Sequence, residues 1–315
     1  MKRFLSKVVQ SVVILFLVSI LCFALTKLAP GDPVMTYVQP NMSEEYIETL
    51  RVRMGLDKPV YVQYFVWLKN ILQGNFGYSQ VNYRPVLEQI VERLPATISL
   101  MGTSLVLSVL ISIPLGLFSG RHKNGLLDKI TEVLCYVGIS IPSFWFGILL
   151  IYLFSVYLGI LPSIGMHSTG NTSFLDFLWH LVLPCSVMTF VNTAQFTRYV
   201  RSSTITELSS DYVMVQRAYG MSENGILFKH ILKNAVLPLI TVVGMSLAQV
   251  VGGAMICEQV FSWPGTGQLA VTAVTTFDYP LIMGITMITA VFVVLGNLLA
   301  DFVYCIVDPR IRHAG

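Results

Sequence analysis

An all-α membrane protein with six transmembrane helices is the fold class this sequence predicts. Three observations carry the prediction. Of 315 residues, 54% are hydrophobic and only 12% are charged, against about 25% charged in a soluble domain. The mean hydropathy is +0.69. Long uncharged runs recur along the chain, divided by shorter polar or basic stretches. The net charge of +3 is too small to point to nucleic acid, and no aromatic–basic interleaving supports that partner.

The chain begins with Lys2, Arg3 and Lys7, followed by an uncharged run over 8–26. A signal peptide is the competing reading, but the run is too long and no small-x-small cleavage site follows. An uncleaved first membrane helix over 1–29 is expected. Residues 30–93 form the one sizeable polar region and are expected to be an extracytoplasmic helical segment. A short helix over 43–54 stops at Gly55, and Pro59 suits the first position of the next, where its missing N–H is not needed. Tyr61, Tyr64, Leu68 and Ile71 form a stripe there. It fits either a small extramembrane core or a surface resting among headgroups.

The remaining spans follow in order within a five-helix core over 94–315. The run 94–120 has no charge, and about 20 residues suffice to cross a bilayer. It ends in Gly116-x-x-x-Gly120, a spacing that lets helices approach closely. The run 133–175 is uncharged for 43 residues, which predicts a third span to about 158 and then a loop with Pro162, Gly165, Gly170 and Asn171. Spans over 177–197, 234–257 and 279–306 complete the six. Pro95, Pro114, Pro142, Pro184 and Pro238 lie in or beside spans, where each removes a helix hydrogen bond and favours a kink.

Orientation follows from counting. The N-terminus, the 121–129 loop, the 198–233 loop and the tail hold 13 of the 20 basic residues, and the loops at 159–180 and 259–281 hold none. The other seven lie from Lys27 to Arg93, mostly in a long segment where the bias counts less. Both termini and the 198–237 loop are therefore expected in the cytoplasm.

That loop is the most informative stretch. From Ser210 to Pro238 it is polar, basic and helical in pattern, with a glycine at its middle. Ser209 and Ser210 suit the cap of a helix opening at Asp211. Tyr212, Val215 and Tyr219 recur at helical spacing. Gly220 fits a helix stop, because glycine adopts the left-handed conformation without steric cost. Ser222 suits the cap of a second helix carrying Lys229, His230 and Lys233, and Pro238 opens the next apolar run. An ordinary loop between spans is the plain alternative to a knob presented to a partner.

The stretch resembles the EAA loop of ATP-binding-cassette (ABC) importer permeases, in the di/oligopeptide and nickel permease branch. The matching residues are Asp211-Tyr212-Val213, Arg217-Ala218-Tyr219-Gly220-Met221-Ser222, Ile226-Leu227, His230 and 232–238, including Asn234 and Pro238. Asp211 replaces the usual Glu, Tyr219 a Lys, and Val215 and Gln216 stand where small residues are common. The likeness extends to 28–33 (LAPGDP), 74–79 (GNFGYS), 141–145 (IPSFW), 263–267 (WPGTG) and 308–310 (DPR). It implies an ABC importer type I permease architecture within a lipid bilayer. It implies one half of a pathway completed by a second, similar permease. Two cytoplasmic ABC ATPases would grip the lever, and an extracytoplasmic substrate-binding protein would deliver cargo. Peptide is the leading cargo; nickel or another metal chelate is the alternative, and an ion-coupled carrier acting alone is a more distant one.

No chemistry of its own is legible. The chain has no Gly-Lys dipeptide, so a phosphate-cradling GxxxxGK[ST] cannot occur; HExxH and GxSxG are absent as well. No catalytic residue, cofactor or metal site is expected. Cys22, Cys135, Cys185, Cys257 and Cys305 lie in separate apolar runs without CxxC spacing and are expected to pack as small hydrophobes. Gly265-Thr-Gly267-Gln-Leu-Ala270 matches the relaxed dinucleotide fingerprint, but no βαβ unit surrounds it. A tight outer loop held by Trp263, Pro264 and Gly265 is the plain reading. With Glu258 and Gly267 it is also a candidate outer gate or receptor contact. Asp301, one turn from Asn297, is expected to pair with a basic residue of the 121–129 loop or the tail. His180 is expected near the start of the fourth span, and His167 as a solvated loop residue.

Overall fold

In the computed structural model the chain is helical, and no strand occurs among the described residues, which are 2–28, 34, 42–53 and 55–307. The 29–33 motif and the 308–310 tail lie outside them, and the Asp301 side chain is likewise not described.

One compact unit comprises the chain to Glu92 together with Leu269–Val291. It holds α1 (Lys2–Leu28), α2 (Glu44–Arg53), α3 (Val60–Leu72), the first turns of α4 (Val86–Arg121) and the first half of α14 (Tyr279–Val307). The tyrosine stripe splits. Tyr64 is buried with Cys22, Phe23 and Met283, with Trp67 and Leu68 beside it, and its hydroxyl meets Ser19 Oγ at 2.7 Å. Tyr61 stays exposed. The α3 stripe thus rests on α1. Asp278 is buried at the start of α14, where it accepts hydrogen bonds from Ser79 Oγ and from Gln80 N at 3.1 Å.

The second unit comprises Arg93–Gln268 and the chain from Phe292. It holds most of α4, then α5 (Leu126–Ser140), α6 (Ser143–Leu150) continued by a wider turn over Ile151–Tyr157, and α7 (Phe174–Leu208). After these come α8 (Asp211–Ala218), α9 (Glu223–Ile226), a wide turn over Leu227–Ile231, α10 (Leu232–Ala235), α11 (Leu237–Gly252), α12 (Met255–Val260) and the start of α13 (Thr266–Thr275). Both glycines of the GxxxG spacing face α7. A Cβ on Gly116 would lie 2.5 Å from Val200 Cβ, and one on Gly120 2.7 Å from Thr204 Cβ. Gly138 of α5 is pressed equally close to Ala194 of α7, at 2.6 Å. Glycine is required there because nothing larger fits between the backbones.

Among the described residues four helices are long and apolar enough to cross a membrane, and two bent pairs raise the number to six. The third span departs from expectation. The run over 133–158 is not one straight helix, because α5 and α6 meet at 103° around Ile141-Pro142. A proline lacks the N–H and pushes the preceding residue out of helical conformation, so the chain turns there instead of kinking. The fifth span also differs. It bends by 43° at Val236 between Glu223–Ala235 and Leu237–Ser246, and α11 ends at Gly252 before Gly253 takes φ +78°.

Candidate functional site

The 210–238 stretch forms the hinged pair the sequence predicts. Ser210 precedes α8 in extended conformation, but its hydroxyl donates back to Glu207 O at 2.5 Å instead of capping α8. The eight-residue α8 stops in a left-handed turn at Gly220, with φ +78°. Gly220 N donates to Arg217 O at 3.0 Å and Met221 N to Gln216 O at 3.1 Å, the paired closure that satisfies the last carbonyls of a helix. Ser222 Oγ then accepts from Gly225 N at 3.2 Å and caps α9 as expected. Arg217 and Glu223 pair across the hinge, Nε to Oε1 at 2.7 Å and Nη2 to Oε2 at 3.1 Å. Both side chains are nearly half exposed, so water screens the pair and it adds little to stability.

The predicted apolar face of α8 is redistributed. Val213 is fully buried, joining Leu105, Leu117, Phe196 and Val200 of α4 and α7 with Ile226, Leu227 and Ile231 of the second arm. Tyr212 is half-buried beside this core. Val215 and Tyr219 point the other way, and Tyr219 is 87% exposed. With Met214 they form an exposed apolar face on α8, where Asp211 and Ala218 are exposed too. An eight-residue helix laid on a core buries one narrow side, and the sequence period alone left that side ambiguous. His230 is half-buried in the wide turn, and Pro238 is the second residue of α11, where a proline is tolerated.

Two side-chain links near the lever were not read from the sequence. Glu207, in the last turn of α7, accepts from Tyr212 Oη at 2.6 Å and from Asn234 Nδ2 at 2.9 Å. Burial and then the Glu207 carboxylate raise the Tyr212 phenol pKa. Deeper in α7, Arg201 grips Asp128 of α5 with two hydrogen bonds, at 2.5 and 2.8 Å. Ser119 of α4 donates to the same carboxylate at 2.5 Å, and Asp128 is buried. A lone acid and a lone base 73 residues apart leave no spacing signal, although both stood in basic loops flanking spans.

The second predicted region, 258–267, folds into a packed corner. Glu258 of α12 is 0% exposed. Its carboxylate accepts from Thr97 Oγ1 at 3.0 Å and Gln268 N at 2.9 Å, and the backbone N–H groups of Gly267 and Ala254 point at it as well. It thereby caps the first turn of α13, a favoured place for negative charge. Burial pushes the Glu258 pKa up against these bonds, which pull it down. Gly253, Gly265 and Gly267 all stand where a Cβ would meet the carboxylate within 3.0 Å. Trp263 is fully buried, its indole donating to Ala96 O at 2.7 Å, and Pro264 is half-buried beside it. The tight loop is therefore present, but Glu258, expected at the mouth, points into the fold. His180 is buried with Nδ1 2.8 Å from Asp176 O. His167 is not simply solvated: its Nδ1 lies 3.4 Å from Asp176 Oδ2 and its ring lies against Phe177. Among the described residues no group of three His, Cys, Asp or Glu side chains is placed to hold a metal ion.

The family described as binding-protein-dependent transport system inner membrane component matches residues 112–313, and its N-terminal companion matches 1–101. The chain is 44% identical over 310 residues to the oligopeptide transport system permease protein AppB of Bacillus subtilis (strain 168), covering 98% of each. It is 36% identical to the probable D,D-dipeptide transport system permease protein DdpB of Escherichia coli (strain K12), covering 95% of this chain and 94% of that protein. It is also 36% identical to the glutathione transport system permease protein GsiC of the same strain, covering 95% of each. Among solved structures, an inward-facing form of the MetNI methionine ABC transporter aligns with a TM-score of 0.55 at 18% identity, over 70% of this chain and 97% of that one. At that identity the likeness speaks for the fold. The spans, the hinged loop and the family match together establish that this chain is a multi-pass membrane protein belonging to the inner-membrane component family of binding-protein-dependent transport systems.

Proposed function

We propose that this chain is the transmembrane permease subunit of an ATP-driven importer for peptides. It forms half of the translocation pathway with a second, homologous permease. Two cytoplasmic ABC ATPases grip the 210–238 lever, and an extracytoplasmic binding protein delivers cargo. The observation that carries the reading is the lever's two-sidedness: Val213, Ile226, Leu227 and Ile231 anchor it in the core while Met214, Val215 and Tyr219 stay exposed. A soluble partner needs such an exposed apolar face to hold, and an anchored base lets a push on that face reach α4 and α7. Nucleotide-driven closure then biases two packings of the spans, each with its own affinity for cargo.

Peptide is favoured over nickel or another metal chelate because the relatives above carry oligopeptide, dipeptide and glutathione in their names, all of them peptidic. Both termini and the lever are assigned to the cytoplasm from the distribution of basic residues. The corner around Glu258, Trp263, Gly265 and Gly267 is assigned to the outer gate as an internal brace, its side chains being buried. The test is co-purification of the ATPases with the permease pair. Tyr219→Asp and Met214→Asp, both at exposed positions, are expected to release the ATPases while membrane insertion persists. Retention of the ATPases by both variants would refute the docking role.

A further inference from the structure

The lever is held to the spans in two different ways. Val213, Ile226, Leu227 and Ile231 hold it by apolar contact, which is non-directional and leaves its angle to α7 free to change. Directional holds are few: Arg121 Nη1 of α4 donates to Asn224 Oδ1 of α9 at 2.5 Å, and on α7 the hold on both arms converges on one oxygen atom. Glu207 Oε2, at the end of α7, receives Tyr212 Oη at 2.6 Å from α8 and Asn234 Nδ2 at 2.9 Å from α10. The two donors stand on opposite arms of the Gly220 hinge. Hydrogen bonds to a carboxylate are short and roughly twice as strong as neutral ones, and this site is half-buried. The exposed Arg217–Glu223 pair ties the two arms to each other but not to α7.

We propose that Glu207 is a positioning residue for energy coupling: it locks both arms of the lever to the end of α7, so that force on the exposed face of α8 turns α7 instead of folding the hinge. Without that oxygen the ATPases still dock, because the face they meet is unchanged, but their stroke is absorbed at Gly220. The proposal rests on the lever reading above and is separable from it.

The test uses the complete complex in proteoliposomes, with both permeases, both ATPases and the binding protein, supplied with a radiolabelled mixture of short peptides. Uptake and ATP hydrolysis are measured on the same vesicles. Glu207→Ala is expected to keep its ATPases bound and to lower peptide uptake per ATP hydrolysed at least tenfold. Glu207→Gln, whose amide oxygen accepts both donors, is expected to stay within about threefold of wild type. Tyr212→Phe and Asn234→Ala each remove one arm and are expected to give intermediate ratios. A residue needed only for folding would lower uptake and hydrolysis together. The proposal is overturned if Glu207→Ala keeps the wild-type ratio within twofold, or if Glu207→Gln is as impaired as Glu207→Ala. If Tyr219→Asp instead leaves the ATPases bound and coupled, it is the docking role that fails, whatever Glu207 does.

Discussion

Replacing Gly265 with alanine tests the Glu258 corner at its tightest point. The new methyl would lie 2.4 Å from the Glu258 carboxyl carbon, with both carboxylate oxygens within 2.5 Å. Relief by a small side-chain shift is blocked, because the carboxylate is fully buried and held by Thr97 Oγ1 and Gln268 N. Overpacking of this kind costs about 1–3 kcal/mol. Moving the carboxylate off one donor forfeits a charged hydrogen bond of about 1.5–3 kcal/mol. Together they predict a destabilisation of about 3 kcal/mol or more, a large share of the roughly 5–15 kcal/mol that holds a domain folded. Unfolding of the detergent-solubilised protein, followed by tryptophan fluorescence, reads it directly, since Trp263 is buried in this corner. Gly220→Ala is the control: open space surrounds its Cβ position, so only the positive φ is strained, at about 1–2 kcal/mol. A Gly265→Ala protein within about 0.5 kcal/mol of wild type, the usual effect of a surface change, would refute the packing argument.

Four further outcomes follow from the same reasoning. Gly116→Ala forces a Cβ to 2.5 Å from Val200 Cβ and should cost about 1–3 kcal/mol in detergent stability, seen as earlier unfolding. Asp128→Ala strands Arg201 beside an empty partner and should cost about 3–5 kcal/mol; the Asp128→Leu, Arg201→Leu double variant should regain part of that, measured by the same unfolding assay. Ser222→Ala removes the α9 cap and should lower stability by about 1 kcal/mol, with uptake little changed. Gly220→Pro cannot adopt φ +78° and loses the bond to Arg217 O, so uptake and coupled ATP hydrolysis should both vanish while insertion, followed by membrane fractionation, persists.

Much of the fold was legible because the bilayer imposes length and charge rules on the sequence. The uncharged runs located the spans, the Gly220 stop and Ser222 cap located the hinge, and Gly116-x-x-x-Gly120 marked a close helix approach whose partner, α7, only the structure shows. What escaped has physical causes. The turn at Pro142 lies inside a run that is apolar throughout, so hydropathy carried no boundary, and a proline is compatible with either a kink or a break. The buried side of α8 was left ambiguous because eight residues give little more than two turns in which to read a period. Glu207, Asp128 and Arg201 act through partners distant in sequence or on separate elements, and one sequence does not show pairing. Glu258 looked like a mouth residue because an acid flanking a span ordinarily faces water; here three glycines and the start of α13 make room for it inside.

The exposed face of α8 is the proposed grip of the motor. Tyr219→Cys, in a chain whose other cysteines are replaced, places a reactive thiol at the most exposed apolar position of the lever. In the assembled complex it should react with a membrane-impermeant maleimide in inside-out vesicles only, and a short bifunctional reagent should link it to an ATPase subunit in a nucleotide-dependent yield. Labelling from the outer side of intact cells, with no link to an ATPase under any nucleotide condition, would contradict the account.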